Sequence, residues 1–204
     1  MNKLGVGFTN TPLHATTDES AAVRKAKAGD PRAFSLLVET YQRSVYNVCY
    51  RMLGNALEAE DAAQEAFLRA YRKLHTFDEG QKFSTWLLSI ASHYCIDCLR
   101  RRRFTWTDID DVIPVLPAER RDDQPEEALM RSETERQVQQ MLKVLAPEYR
   151  SVLVLRHWHD MSYAEIAETL QLSESAVKTR IHRARKMLAE ALRDAAAALS
   201  STLD

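Results

Sequence analysis

Glycine and proline are scarce in this chain, 5 and 6 among 204 residues. They are the residues least compatible with a helix interior. Their scarcity, beside long runs of Ala, Leu, Glu, Arg and Gln, excludes a loop-rich or β-rich chain and predicts one that is nearly all helix. Phosphate-binding glycine loops and nucleophile elbows are missing too, and no carboxylate pair stands in catalytic company, so the common enzyme signatures are absent. Cysteine is rare and odd in number, 3 in all, which argues against a disulfide framework. No apolar run approaches the ~18 residues that span a bilayer, so no membrane insertion is expected. The first 18 residues lack a positive start followed by an apolar core, which points to the cytoplasm. No cofactor or metal is called for.

Net charge is also lacking, at −1, but its distribution is informative. Residues 19–104 carry 14 basic and 10 acidic side chains, residues 105–135 carry 3 and 10, and residues 136–204 carry 10 and 8. Two mildly basic blocks therefore flank an acidic segment, an arrangement suited to a polyanion held by two modules or to a linker with its own basic partner. From Phe104 to about Glu126 helical periodicity disappears and Pro114, Pro117 and Pro125 intervene. The expected fold class is all-α: an N-terminal helical bundle over 18–104 and a C-terminal helix-turn-helix domain over 127–195, joined by a flexible acidic linker over 105–126. Residues 1–17 read as a disordered tail and 196–204 as a fraying one.

Within the first block, Asp18 can cap a short helix ending at Gly29. Asp30 and Pro31 start a longer one that Gly54 can end. A third helix over 57–74 points Ala63, Phe67, Ala70, Tyr71 and Leu74 inward, and a fourth runs over 84–103. On the third helix Asp61, Gln64, Glu65 and Leu68 recur at i, i+3, i+4 and i+7. They form either a solvated face or an acidic docking face for an Arg-rich helix. The polar loop 76–82, with Phe77, Lys82 and Phe83 at its edges, leads into the helix that ends in Arg100, Arg101, Arg102 and Arg103. Aromatic faces interleaved with positive charge suit unstacked bases and a single-stranded backbone. Phe77 and Phe83 could equally be core, and Trp86, Leu87, Ile90 and Ala91 read as core. Cys95 and Cys98, a CxxC in mid-helix, read as small buried hydrophobes rather than a redox pair or a zinc site.

The second block carries the most informative stretch. Ser162 and Glu165 form a capping box, and Ile166, Ala167 and Leu170 give the short helix one apolar face. Leu172 fills a tight turn and Ser173 is placed to cap a second helix. There Val177, Ile181, Ala184 and Leu188 make a buried stripe. Ser175, Thr179, His182, Arg183 and Lys186 fall opposite, with Lys178 on one flank. Such a pair of helices suits major-groove entry.

Taken together, these segments resemble bacterial RNA polymerase sigma factors of the extracytoplasmic-function type. Residues 59–71 are similar to the family's polymerase-clamp helix. Phe83-Ser84-Thr85-Trp86-Leu87 with Ile90, Ala91, Asp97 and Arg100 resembles its promoter-opening helix, and residues 145–186 resemble its upstream-promoter reader. The match spans residues 19–190. His93 departs from a usual Asn, Ala146 from a common Leu, and Gln171 from a Gly. The resemblance implies that Asp61, Gln64, Glu65 and Leu68 grip the polymerase clamp and that loop 76–82 receives a flipped base. It implies that Arg100 to Arg103 hold phosphates near the melted edge, and that Ser175, Lys178, Thr179, His182, Arg183 and Lys186 meet the upstream element. Implied partners are core RNA polymerase, through its clamp helix and flap, promoter DNA and an anti-sigma factor; the polymerase does all catalysis. Two other classes compete: a helix-turn-helix regulator that binds DNA without polymerase, and a thiol or metal enzyme resting on Cys95 and Cys98 alone.

Overall fold

A computed structural model of the chain describes residues 17–105 and 125–200. Among them are eight α-helices and a short 3₁₀ turn. The tail up to residue 16, most of the acidic linker and the last four residues lie outside the described residues.

Helix α1 spans Thr17–Lys27, beginning one residue before the expected Asp18 cap. Gly29 then takes a left-handed φ of 94°, a conformation that costs a residue without Cβ little. The Asp30 carboxylate accepts from the N–H groups of Arg32 and Ala33, at 2.9 and 3.4 Å, and Pro31 opens α2, Pro31–Leu53. Gly54, at φ 75°, donates its N–H to the Tyr50 carbonyl and closes that helix. Asn55 caps α3, Ala56–Lys73, through the Glu58 N–H. After the 3₁₀ turn Leu74–Thr76 comes α4, Phe83–Thr105. Helix α3 buries a run of alanines, Ala59, Ala62, Ala63, Ala66 and Ala70. Small side chains let α2 and α4 approach closely, and the larger Tyr41, Val45, Val48, Met52 and Leu87 fill the space between them. Tyr71, expected inward, is half exposed and meets Phe34 edge-on at 4.9 Å.

The C-terminal half comprises α5 (Pro125–Lys143), α6 (Pro147–Trp158), α7 (Tyr163–Leu170) and α8 (Glu174–Ser200). Helix α8 continues to Ser200, through the Ala-rich stretch expected to fray; alanine's helix propensity is the highest of any residue.

The two helical domains touch. Their buried side chains form one hydrophobic cluster, in which α6 packs on α2 and α4, and α7 packs on α4. The joint is organised around the C-terminal end of α2, where the Tyr50 carbonyl accepts from Gly54 and the carbonyls after it lack a helical partner. Gln139 of α5 donates to the Tyr50 carbonyl at 2.7 Å. The buried Arg150 of α6 donates to the Met52 carbonyl, and also to the carbonyls of Leu145 and Lys143 at 3.1 and 3.3 Å. In return, Arg51 of α2 donates to Glu135 and Gln139 and lies over the Trp158 ring. The sequence led us to expect two modules at the ends of an extended tether; the packing instead seats one directly on the other.

Candidate nucleic-acid interface

The helix-turn-helix forms as its local signals require. The Ser162 hydroxyl accepts from the Glu165 N–H at 3.2 Å, and the Glu165 carboxylate accepts from the Ser162 N–H at 2.8 Å. Gln171 ends α7 in the left-handed region, φ 54° and ψ 48°. Ser173 accepts from the Ala176 N–H and starts α8. Ile166, Ala167, Leu170, Val177, Ile181 and Ala184 are buried, while Leu172 and Leu188 are half-buried at the edge of that stripe. All six expected contact residues, Ser175, Lys178, Thr179, His182, Arg183 and Lys186, are exposed. The Thr179 hydroxyl donates to the Ser175 carbonyl, one turn back in its own helix. The face can enter a major groove with both charges and hydrogen-bonding groups outward.

In the N-terminal domain, α3 presents Asp61, Gln64 and a half-exposed Leu68 to solvent. Glu65 accepts from Arg69 at 2.7 Å, and this hydrogen bond holds its carboxyl below the usual range. Arg69 in turn lies over the Tyr94 ring at 4.5 Å. The face is thus acidic around one apolar side chain, with Glu65 already aligned by a guanidinium.

The expected single-strand surface is more divided. Phe77 and Phe83 are each 4% exposed. They pack with Trp86 and Tyr41 at centroid distances of 5.1 to 5.6 Å. The aromatic faces proposed for base stacking are therefore consumed by the core, because the loop between α3 and α4 must bury its edges where the helices diverge. Above them the loop is ordered from below. The Lys27 amine of α1 donates to the Phe77 carbonyl at 2.9 Å and pairs with Glu79, and the Asp78 carboxylate accepts from the Gly80 N–H. His93, the departure from the family's Asn, turns its Nδ1 onto the Ser89 carbonyl of its own helix at 2.8 Å.

The basic residues of this surface are paired within the chain. Lys82 donates to Glu165 of α7 at 2.6 Å. Arg100 donates twice to Glu148 of α6, at 2.8 and 3.2 Å. Arg102 pairs with Glu58, Arg101 reaches the Asp97 carbonyl and the Cys98 sulfur, and the Arg103 side chain lies outside the described residues. The Lys82 hydrogen bond brings the Glu165 carboxyl down to about 2, aided by the Ser162 N–H, and Glu165 raises Lys82. At Glu148 burial pushes upward, but the Arg100 hydrogen bond, its own backbone N–H and the charges of Arg100 and Arg180 outweigh it. Neither acidic partner was anticipated from the sequence, since each lies 48 or 83 residues from its cation. Only their acidity is visible locally.

The three thiols are free. Hydrogen bonding with Cys49, then burial, pushes the Cys95 thiol up, away from a reactive thiolate. Among the described residues no group of three His, Cys, Asp or Glu side chains could hold a metal, and no helix is long and apolar enough to cross a membrane.

The family model for Sigma-70 region 2 matches residues 37–105, and that for Sigma-70 region 4 matches residues 135–188. The ECF RNA polymerase sigma factor SigW of Bacillus subtilis is 40% identical, over 84% of this chain and 95% of its own length. The chain is an extracytoplasmic-function sigma factor. It is thus a promoter-specific factor for transcription initiation by RNA polymerase. The RNA polymerase sigma-H factor of Pseudomonas aeruginosa is 36% identical over 83% of this sigma factor and 91% of its own chain. Among solved structures CnrH, in complex with the cytosolic domain of CnrY, superimposes with a TM-score of 0.65 at 27% identity, covering 87% of this chain and 98% of its own. The sigma factor RpoE of Bartonella quintana, solved with the anti-sigma factor NepR, shares the fold at a TM-score of 0.59 and 20% identity, over 78% of this chain and 96% of its own.

Proposed function

We propose that residues 18–104 form the domain that binds the polymerase clamp and opens the downstream promoter element, and that residues 127–195 read the upstream element. Asp61, Gln64, Glu65 and Leu68 meet the clamp helix, where an Arg-rich partner would find charge-assisted acceptors around a Leu contact. Loop 76–82 receives the extruded base, with Lys82 and Arg100 to Arg103 on the strand phosphates. The loop backbone and its polar side chains make the pocket, and Phe77 and Phe83 serve as its floor rather than as stacking platforms. Ser175, Lys178, Thr179, His182, Arg183 and Lys186 meet the upstream duplex. An apolar pocket of about 190 Å³ between α5, α6 and α8, lined by Val138, Met141, Leu142, Leu153 and Leu188 beside His157, Trp158 and Arg185, has room for one apolar side chain of the polymerase flap. The factor acts in the cytoplasm and performs no catalysis itself. Its regulator is an anti-sigma factor; that CnrH is solved bound to the cytosolic domain of a second protein, CnrY, supports a protein partner of this kind.

The observation that carries this reading is the outward basic face of α8. Six polar or basic side chains are exposed on a helix whose other side is buried by the helix-turn-helix partner. The test is reconstitution with core polymerase, followed by mapping of transcript starts. Starts clustered behind a shared upstream motif, lost when Lys178 and Arg183 are changed to Ala, support it. Transcription indistinguishable from core polymerase alone would overturn it.

A further inference from the structure

Two kinds of contact join the domains. One is buried: Arg150 and Arg51 sit inside the joint and cap or bridge helix ends. The other lies at the rim. The Lys82 side chain is 65% exposed and the Arg100 side chain 57%, yet each is held by a carboxylate of the other domain. The buried contacts account for the docking. The rim pairs add little stability, since solvent screens exposed ion pairs and side-chain entropy opposes them. They do determine what Lys82 and Arg100 can bind. Each carboxylate supplies the oxygen acceptor that a nucleic-acid phosphate would supply, at normal charge-assisted distances. Further charges stand behind them: Glu168 acts on Lys82, and Arg180 acts on Glu148. Meanwhile the outer face of α8 is uncovered.

We propose that Glu148 and Glu165 are internal phosphate mimics: in the free chain they occupy Arg100 and Lys82 and mask the downstream-DNA face, while leaving the upstream-reading helix open. This rests on the reading of Lys82 and Arg100 as strand contacts. The consequence is an order of engagement. The free factor meets DNA more readily through α8, and single-strand capture is favoured once the two domains separate or a strand displaces the carboxylates. Glu165 has a second task, since it also completes the Ser162 capping box. A Gln there keeps the cap, because Gln serves equally at that position, and removes only the charge.

The test is a cycle of variants in the full-length chain without polymerase, titrated with a fluorescent single-stranded oligonucleotide at fixed salt, since such binding varies steeply with salt. Glu148→Gln with Glu165→Gln should raise affinity about tenfold. The same pair placed on Lys82→Ala with Arg100→Ala should raise it hardly at all, because the cations being unmasked are gone. Circular dichroism confirms that each variant is folded; should Glu165→Gln fail, Glu148→Gln with Arg100→Ala completes the same cycle at the other pair. An equal gain in both backgrounds would mean a general loss of negative charge and would overturn the mask. No gain in either background would overturn it too, and then the holoenzyme separates the two ideas. If Lys82→Ala with Arg100→Ala impairs promoter opening there, the strand contacts stand and only the mask falls; if it does not, the strand contacts fall as well.

Discussion

Arg150 illustrates how one side chain can hold a joint. Its guanidinium is buried and donates to three carbonyls from three helix ends or turns, and burial lowers its pKa to about 10. Arg150→Met fills similar volume but leaves those carbonyls without donors, and each buried orphan costs about 1–3 kcal/mol. We expect a loss near 3 kcal/mol in urea denaturation; a change below about 1 kcal/mol would mean that water or neighbouring groups already satisfy the carbonyls. Glu165 makes a different prediction. Its carboxyl is depressed to about 2 by Lys82 and the Ser162 N–H. A depressed carboxyl stabilises above its unfolded pKa and ceases to do so as pH falls through the folded one. The Lys82–Glu165 contact should therefore persist at neutral pH and weaken between about pH 4.5 and 2. Carbon-13 NMR titration of the Glu165 carboxyl should show a midpoint near the lower end, moving upward in Lys82→Ala. An ordinary midpoint in the unaltered chain would mean the contact is not formed in solution.

At the scale of elements, α3 and α8 each work by one face. Reversing charge on α3, with Asp61→Arg and Glu65→Arg together, should weaken assembly with core polymerase by several kcal/mol, because like charges would replace desolvated pairs. The alanine stripe beneath is untouched, so the fold survives, and co-purification with core enzyme reads the effect. Undiminished co-purification would remove α3 from the interface. On α8, Lys178→Ala or Arg183→Ala should cost about 1–3 kcal/mol if the side chain reads a base edge, and should relax preference at one promoter position. Equal weakening on every sequence, with a shallower salt slope, would make the residue a phosphate anchor instead. These elements were legible because their signals are local. Asp30-Pro31, Gly54, the Ser162–Glu165 box and Ser173 all act within four residues of themselves, where spacing and chemistry suffice. The faces of α3 and α8 follow from helical periodicity alone. Phe77 and Phe83 were not decidable that way, since an aromatic beside a loop has the same local pattern whether it floors a pocket or lines one.

The described residues pack as one body, because the C-terminal end of α2 lies against α5 and α6 of the other domain. Caps supplied across the joint by Arg150 and Gln139 make the stability of each half depend on the other. Calorimetry should accordingly show one cooperative transition whose calorimetric and van't Hoff enthalpies agree. Two resolved transitions would mean that the halves are stable apart and that the joint is incidental. Sequence alone determined that the chain is helical, that it comprises two basic blocks around an acidic one, and which residues form the outer face of each functional helix. These follow from propensity, charge and a period of 3.6, all properties of neighbours in the chain. Only the tertiary structure decided that Lys82 and Arg100 face Glu165 and Glu148, that Lys27 steadies the loop after α3, and that the two domains share a core. Such pairings join residues about 50 to 100 positions apart. No periodicity links them; they exist only because the fold brings elements distant in the chain side by side.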